Sequence, residues 1–426
     1  MQKLKVLLVA EHFWPTVVGG GEISSFLLAK GLTKKGIDVS VLTSRSNEEK
    51  KIEVIGNVKI YRVVKSGNTN TLAGNLTRLS FKAELDKALE HHLSRNEIDI
   101  VHAMSAMCIP SVAKLQSVTK ICHVNSPVAF CPKGNLIRYS KECQLKCTPS
   151  YFLPCHMTSE EIGRMKNMVW IRFNPIVWKI IWDRWKAIRN ALPKFDHYTP
   201  ISTFMRDWLL CYGISSEKIT VLPNIVEIER FSNLKQMKNK VPKILYIGAY
   251  LRSKGVHVLL QALKNIQLHY EASFYGSGNL KEWMQNFVEE NKMPVRINNE
   301  CDYSDLPRVY SEHDIVVFPS LVPEGLGRVA LEAAAAGKAI VASRVGGIVD
   351  VVENGKTGLL VEAGNVEELS RAINLLLSNK SLCAKFGKAG LAKAKREYSE
   401  KAVVGKAIKI YKKVKNESLN ARNIRL

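Results

Sequence analysis

The sequence predicts an α/β protein made of two Rossmann-like, doubly wound halves, each a parallel sheet with helices on both faces. Three observations carry this reading. Apolar runs of about 4–8 residues alternate with stretches of helical periodicity, the signature of strand–helix crossovers. The alternation occurs twice, before and after a polar, lysine-rich stretch from Phe231 to Lys240. A chain of 426 residues, 46% of them hydrophobic, is long enough to bury more than one core.

In chain order, Leu4–Ala10 is a continuous apolar run, as a strand buried on both faces requires. Pro15 and Gly19-Gly20-Gly21 make a loop, and EISSFLLAKGLTKKG follows with helical spacing. Strands are expected at Asp38–Thr43, Asp99–Ser105, Thr119–Ser126, His197–Thr203 and Lys218–Asn224, with a helix over DKALEHHLSRN. The second series starts with a strand at Lys243–Tyr250 and a helix over VHVLLQALKNI. EASFYGSG, HDIVVFPS and KAIVAS supply further strands, and EGLGRVALEAAAAG is a helix with glycines at both ends. The expected division is a first half over residues 1–225, a linker over 226–241 and a second half over 242–397. A helix over 398–426 is expected to pack back on the first half.

Composition narrows the function. No uninterrupted apolar stretch approaches the ~20 residues that cross a bilayer, and Met1–Ala10 reads as a strand rather than a leader peptide. A cytoplasmic protein is expected, with a peripheral place on a membrane surface as an extension of that reading. Sixty-two Lys+Arg against 39 Asp+Glu give a net charge of +23, which attracts polyanions. No recognition-helix, RNP or zinc-finger signature accompanies it, so no specific nucleic acid is expected and an anionic membrane surface is the preferred partner.

Nine cysteines include a cluster, Cys131, Cys143, Cys147 and Cys155, with His156 adjacent. It reads either as a structural metal site, zinc or iron–sulfur, or as a loop of free thiols or a redox-sensitive pair; no C-x2-C pair decides between them. The segment Arg164–Leu192 also breaks the α/β pattern. Asn174-Pro175 looks like an N-cap with proline in the first turn. Beyond it Trp178, Ile181, Trp182, Trp185, Ile188 and Leu192 share one face, and Lys179, Arg184, Lys186 and Arg189 the other. This suits an interfacial membrane helix, or a core-facing helix whose solvated face is basic.

Chemistry concentrates in Pro319–Val361. Glu324 precedes a helix opened by Gly325–Gly327, and Glu332 lies eight positions on. A glycine-rich helix entrance offers unpaired N–H groups and a positive dipole end to an anionic or hydroxyl-rich ligand, and carboxylates there can accept hydrogen bonds from sugar hydroxyls.

The E-x7-E pair, AAAAGKAIVAS, Gly346-Gly347 and NGKTG at Asn354–Gly358 resemble the retaining glycosyltransferases of family 4 (glycosyl transferases group 1). So do GGGE at Gly19–Glu22, DIVHA, VLPNIVEIERF, YIGAYLRSKG, YGSGNL and HDIVVFPS, in the family's order from Lys5 to about Tyr411. The resemblance implies a GT-B fold, two Rossmann-like domains facing a cleft. It implies that Glu324 contacts the transferred sugar with the amides of Gly325, Leu326 and Gly327. By the same resemblance Glu332 binds the ribose, Lys254 grips the donor diphosphate, and Gly20, Gly21 and Gly276 belong to the donor site. No cofactor is required; the donor is a nucleoside-diphosphate sugar. No Asp-x-Asp occurs, so the usual ligand pattern for a metal-dependent nucleotide-sugar site is missing.

Three positions depart from the family. Ala249 stands where an arginine is common, with Arg252 as a substitute for it. Asn125 takes the place of a histidine that helps hold the sugar, with His123 two residues earlier on the same strand face. Ile225 replaces a glycine. Cys131–Cys147 resembles a cysteine-bearing insert of a family subset and is expected to form an acceptor-site lid.

The expected reaction moves a hexose to an acceptor hydroxyl with retention, the acceptor being a glycan, lipid-linked or membrane-adjacent. The alternatives are a nucleotide-sugar epimerase, a glycoside phosphorylase, or a non-enzymatic polyanion-binding protein. A nicotinamide dehydrogenase would rest on Gly276 and Gly278, but the third glycine of its fingerprint is missing.

Overall fold

The computed structural model describes residues 3–17, 19–45, 49–65, 80–138, 141–143, 147–157, 173–234, 237 and 239–423. The first half contains β1 (Lys5–Val9), β2 (Asp38–Arg45), β3 (Ile52–Ile55), β4 (Val58–Lys65), β5 (Ile100–Ala103) and β6 (Thr119–Val124). A short ribbon of β7 (Ile137–Arg138) and β8 (Lys141–Glu142) follows, then β9 (His197–Pro200). The second half contains β10 (Lys243–Ile247), β11 (Glu271–Tyr275), β12 (Val295–Asn298), β13 (Ile315–Phe318), β14 (Ala339–Ser343) and β15 (Gly358–Val361).

The larger sheet has the order β3-β4-β2-β1-β5-β6-β9, and β3 alone runs antiparallel. The other has the order β12-β11-β10-β13-β14-β15 and is wholly parallel. With β3 set aside, each half has the doubly wound order 3-2-1-4-5-6. Ligands in such sheets bind beyond the carboxyl ends of the strands where the order reverses. Those points lie after β1 and β5 in the first half and after β10 and β13 in the second.

The strands are buried because both faces are covered: β5, β13 and β14 have every residue inside. The stretch Lys218–Asn224, expected as a strand, forms none. It runs extended beside β9 with a single bridge, Tyr198 to Ile219, and with Leu222 N–H donating to the Pro200 carbonyl at 2.8 Å. Pro223 ends any further ladder by lacking a donor. The β3–β4 hairpin, β12 and β15 are additional to the strands expected.

Asn174 does cap the helix Pro175–Ala191, accepting from the Ile176 N–H at 2.9 Å. Its aromatic face turns inward: Trp185 and Ile188 are buried, and Trp182 lies 4.9 Å from Trp185 and 5.4 Å from Phe152. For these tryptophans the core-facing arrangement is the one found. Residues 158–172, with Trp170, lie outside the described residues, as do linker positions 235, 236 and 238 and the last three residues.

The helix Glu400–Asn423 lies against the first sheet. Val403, Val404, Ala407, Ile410 and Tyr411 join the core of that half, and Lys415 pairs with Asp99 at 2.7 Å. Where the chain returns, the Val226 N–H donates to the Tyr398 carbonyl at 3.0 Å, so the two crossings between halves run side by side. No helix among the described residues is long and apolar enough to cross a membrane.

Candidate active site

Two loops at the second half's switch point bring Lys254 and Glu324 together. After β10 the chain makes a turn over Arg252–Lys254 and leaves it through Gly255 in the left-handed conformation, φ +70°. A Cβ at Gly255 would sit 1.9 Å from the Pro319 carbonyl oxygen, so only glycine lets this turn lie against the loop that follows β13. The Leu321 N–H then donates to the Ser253 carbonyl at 2.9 Å. The Lys254 ammonium meets the Glu324 carboxylate directly, and the Ser320 hydroxyl donates to the same carboxylate at 3.2 Å. Behind them Gly346, φ +53°, would place a Cβ 2.4 Å from the Glu324 carbonyl, and the Gly347 N–H donates to that carbonyl at 2.8 Å. The glycine pair is the backing that fixes Glu324.

Lys254 and Glu324 open into one cavity of about 450 Å³ between the halves. Its second-half wall is Ser253, Lys254 and Val322–Gly325; its first-half wall includes Asn125, Lys133, His156, Ile181 and Arg184. Asn125, just past β6, donates from Nδ2 to the Met104 carbonyl at 2.9 Å. Gly21 and Gly325 both press on Asn125: added Cβ atoms would lie 3.4 Å from its Nδ2 and 2.8 Å from its carbonyl oxygen. The halves also join where the Asp350 carboxylate accepts from the Thr203 N–H at 2.6 Å and its hydroxyl at 2.5 Å, capping the helix Thr203–Cys211.

Gly20 faces Arg328, whose Cδ would be 2.9 Å from a Cβ there. Arg328 begins the helix Arg328–Ala335 after the buried Leu326 and the N-cap Gly327. Its guanidinium bridges the halves, donating to the Ser24 hydroxyl at 3.0 Å and the Tyr303 hydroxyl at 2.9 Å, and pairing with Glu332 at 2.9 Å. Glu332 is therefore buried and held by Arg328 and by the Tyr310 hydroxyl at 3.1 Å. Burial pushes its carboxyl above the usual carboxylate range, and Arg328 and Tyr310 pull it back. Arg328 was missed as a site residue, although its place four residues before Glu332 is the spacing of a helical ion pair.

The remaining expected residues lie elsewhere. His123 is buried away from the cavity, its Nδ1 3.1 Å from the Thr199 hydroxyl, and burial pushes it down to about 4. It does not line the cavity with Asn125 but a small pocket with Ser24 and Asn224, because the strand whose alternation would put both on one face ends at Val124. Arg252 is exposed and lies outside the cavity wall. Gly276 packs on the Gly248 carbonyl, a contact between two strand-end turns.

Cys131, Cys143, Cys147 and Cys155 line one small pocket with Phe130, Leu136 and Phe152, all four as free thiols. Burial, and then the neighbouring Cys131, Cys155 and Cys143, push the Cys147 thiol up to about 12. Among the described residues no group of three or more His, Cys, Asp or Glu is placed to hold a metal ion, so the structural-zinc expectation does not fit this arrangement.

Residues 18–230 match the family described as Glycosyltransferase Family 4, and residues 227–393 match Glycosyl transferases group 1. An uncharacterised glycosyltransferase of Methanocaldococcus jannaschii is 32% identical over 162 residues, which is 38% of this chain and 45% of that protein. A second from the same organism is 25% identical over 387 residues, 88% of this chain and 90% of its own. The capsular polysaccharide biosynthesis glycosyltransferase CapM of Staphylococcus aureus is 27% identical over 223 residues, 48% of this chain and 58% of CapM. The chain thus spans about half the length of the first and third of these relatives. Among solved structures, sucrose-phosphate synthase from Thermosynechococcus elongatus superposes with a TM-score of 0.75 at 18% identity, over 97% of this chain and 99% of that one. Anabaena HepE in complex with UDP superposes with a TM-score of 0.63 at 16% identity, over 98% and 100%. Two doubly wound halves in the GT-B arrangement, matched by family over both, place the chain among the family 4, group 1 glycosyltransferases.

Proposed function

We propose that the chain transfers a hexose from a nucleoside-diphosphate sugar to an acceptor hydroxyl, with retention of configuration and without a divalent metal. The observation that carries this reading is the meeting of Lys254 and Glu324 in one cavity at the second half's switch point, opposite Asn125. Cleaving a glycosyl–phosphate bond develops negative charge on the departing diphosphate. A fixed ammonium at Lys254 and the N–H groups entering the helix Arg328–Ala335 would receive that charge without reorganising. Glu324, with the amides of Gly325, Leu326 and Gly327, would hold the transferred sugar, and Asn125 would hydrogen-bond a hydroxyl from the opposite wall. Gly20 and Gly21 would approach the phosphates.

Glu332 would take the ribose hydroxyls in exchange for its contact with Arg328, so nucleotide entry has to turn Arg328 aside. Among the described residues no second carboxylate lines the cavity beside Glu324 to act as a nucleophile, which favours same-face transfer through an oxocarbenium-like state over double displacement. The acceptor we propose is a glycan that is lipid-linked or membrane-adjacent, met at the cytoplasmic face. The net charge of +23 and the cationic first-half wall support this; the inward-packed tryptophans do not. The test is Glu324→Gln with UDP-, GDP- and ADP-sugars. Transfer should disappear while nucleotide binding persists, and full transfer by that variant would remove the role assigned to Glu324. Incubation with donor alone separates an epimerase, which alters the sugar while it stays on its nucleotide.

A further inference from the structure

We propose that the first-half wall of the cavity is a binding site for a phosphoryl group carried by the acceptor, held by Lys133 and Arg184. The inference rests on the glycosyl-transfer reading above and adds the acceptor's chemistry.

The first-half wall stands across the cavity from Lys254, to which the donor's diphosphate is assigned, and so offers cations of its own. Gly20, Arg328 and Glu332 do not line the cavity. They lie at the contact between the halves, where Gly20 meets Arg328. From Glu324 the open space runs the other way, past Asn125 to Lys133 and Arg184. A molecule there would reach Glu324 from the first-half side, where an acceptor can meet the sugar on the face that the diphosphate leaves, as retention requires.

The chemistry of the lining selects an anion. Lys133 and Arg184 line the first-half wall, and among the described lining residues the one carboxylate is Glu324, which already accepts from Lys254 and Ser320. A concave site with such an excess of positive charge concentrates anions, and a guanidinium fork fits two phosphoryl oxygens at once. The wall is also built rather than incidental. Arg184 stands on a helix anchored by the buried Trp185 and Ile188, and Ile181 faces the cavity one turn before it. Lys133 sits in a tight turn in which the Gly134 N–H donates to the Cys131 carbonyl at 2.9 Å. Lys179 and Lys186 of the same helix point to solvent instead.

The test uses the full chain with its donor side saturated by whichever of UDP, GDP or ADP binds. Glucose 1-phosphate, farnesyl phosphate in detergent micelles, and methyl α-glucoside are titrated by calorimetry, with intrinsic tryptophan fluorescence as a second signal. The phosphates should bind and the neutral glucoside should not. Lys133→Gln and Arg184→Gln should each weaken phosphate binding roughly tenfold, with nucleotide affinity and melting temperature unchanged. Arg184→Lys should recover part of the loss, and Lys186→Gln should change nothing. Tighter binding of farnesyl phosphate identifies a lipid-borne phosphate; equal binding identifies a soluble one. The proposal is overturned if neither phosphate binds, if the glucoside binds as well, or if the two Gln variants behave as wild type. It is also overturned if they lose nucleotide affinity in step. Failure of the glycosyl-transfer reading would show separately, as an active Glu324→Gln variant or the absence of any nucleotide binding.

Discussion

Replacing Lys254 by methionine keeps the apolar stem of the side chain and removes its charge. On the folded chain the effect is small. The Lys254 and Glu324 side chains keep 29% and 20% of their surface exposed, so solvent screens the pair. Ser320 still donates to Glu324 at 3.2 Å. A partly exposed pair of this kind contributes at most about 1 kcal/mol, a shift of no more than about 4 °C in melting temperature. On turnover the effect is large. One preorganised donor aimed at a developing charge is worth about 2.7–4 kcal/mol, or roughly 10²–10³ in kcat. Initial rates of nucleoside-diphosphate release at saturating donor, beside a thermal melt of the same preparation, measure both. The expected result is a fall of roughly 10²–10³ in rate with the melt nearly unmoved, and Lys254→Arg falling between the two. A methionine variant turning over within about threefold of wild type would refute the assignment of the leaving-group charge to Lys254.

Three further perturbations test the scaffold. Gly255→Ala adds a Cβ 1.9 Å from the Pro319 carbonyl at φ +70°, so it should lower the melting temperature and abolish transfer by parting Lys254 from Glu324; a normal melt with normal activity would contradict the packing described. Arg328→Met leaves the buried Glu332 without its cation and should cost about 3–5 kcal/mol in urea unfolding, whereas the double replacement with Glu332→Leu should cost less than the single one. Burial holds His123 and His197 down to about 4 and His102 well below its ordinary value. The unfolded chain protonates these rings near ~6.5 and so binds more protons between there and pH 4. Stability should therefore be complete above about pH 6.5 and fall as the pH drops through this window, and a flat profile of melting temperature against pH would exclude neutral buried rings.

Much of the architecture was legible because strands covered on both faces must be continuously apolar: Lys5–Val9, Ile315–Phe318 and Ala339–Ser343 all stand out on that ground. The strand Gly358–Val361 hid behind a glycine and its short length, and Val295–Asn298 behind its alternating polar residues. The hairpin Ile52–Lys65 hid behind the exposed residues of its edge strand and the charged Arg62 on the buried face of its second. At the site, Glu324 and Lys254 were readable from local motifs. Arg184 was not, since sequence assigns it to the polar face of a helix and only tertiary packing reveals that this flank closes a cavity. His123 misled for a similar reason, as a residue two before Asn125 shares its face only while the strand lasts, and the strand ends at Val124.

The paired passages at Val226 and Tyr398 bear on how the two halves can move. A single tether would let one lobe swivel freely over the other. Two tethers held edge to edge act like the leaves of a door hinge, confining motion to rotation about the line through both. Asp350, whose backbone carbonyl accepts from the Tyr398 hydroxyl at 2.7 Å and whose carboxylate grips Thr203, lies beside that axis, where a small angular change moves it little. Lys254 and Glu324 face Asn125 across the gap, so the same swing would part or join these cavity walls while leaving the hinge-side contacts made.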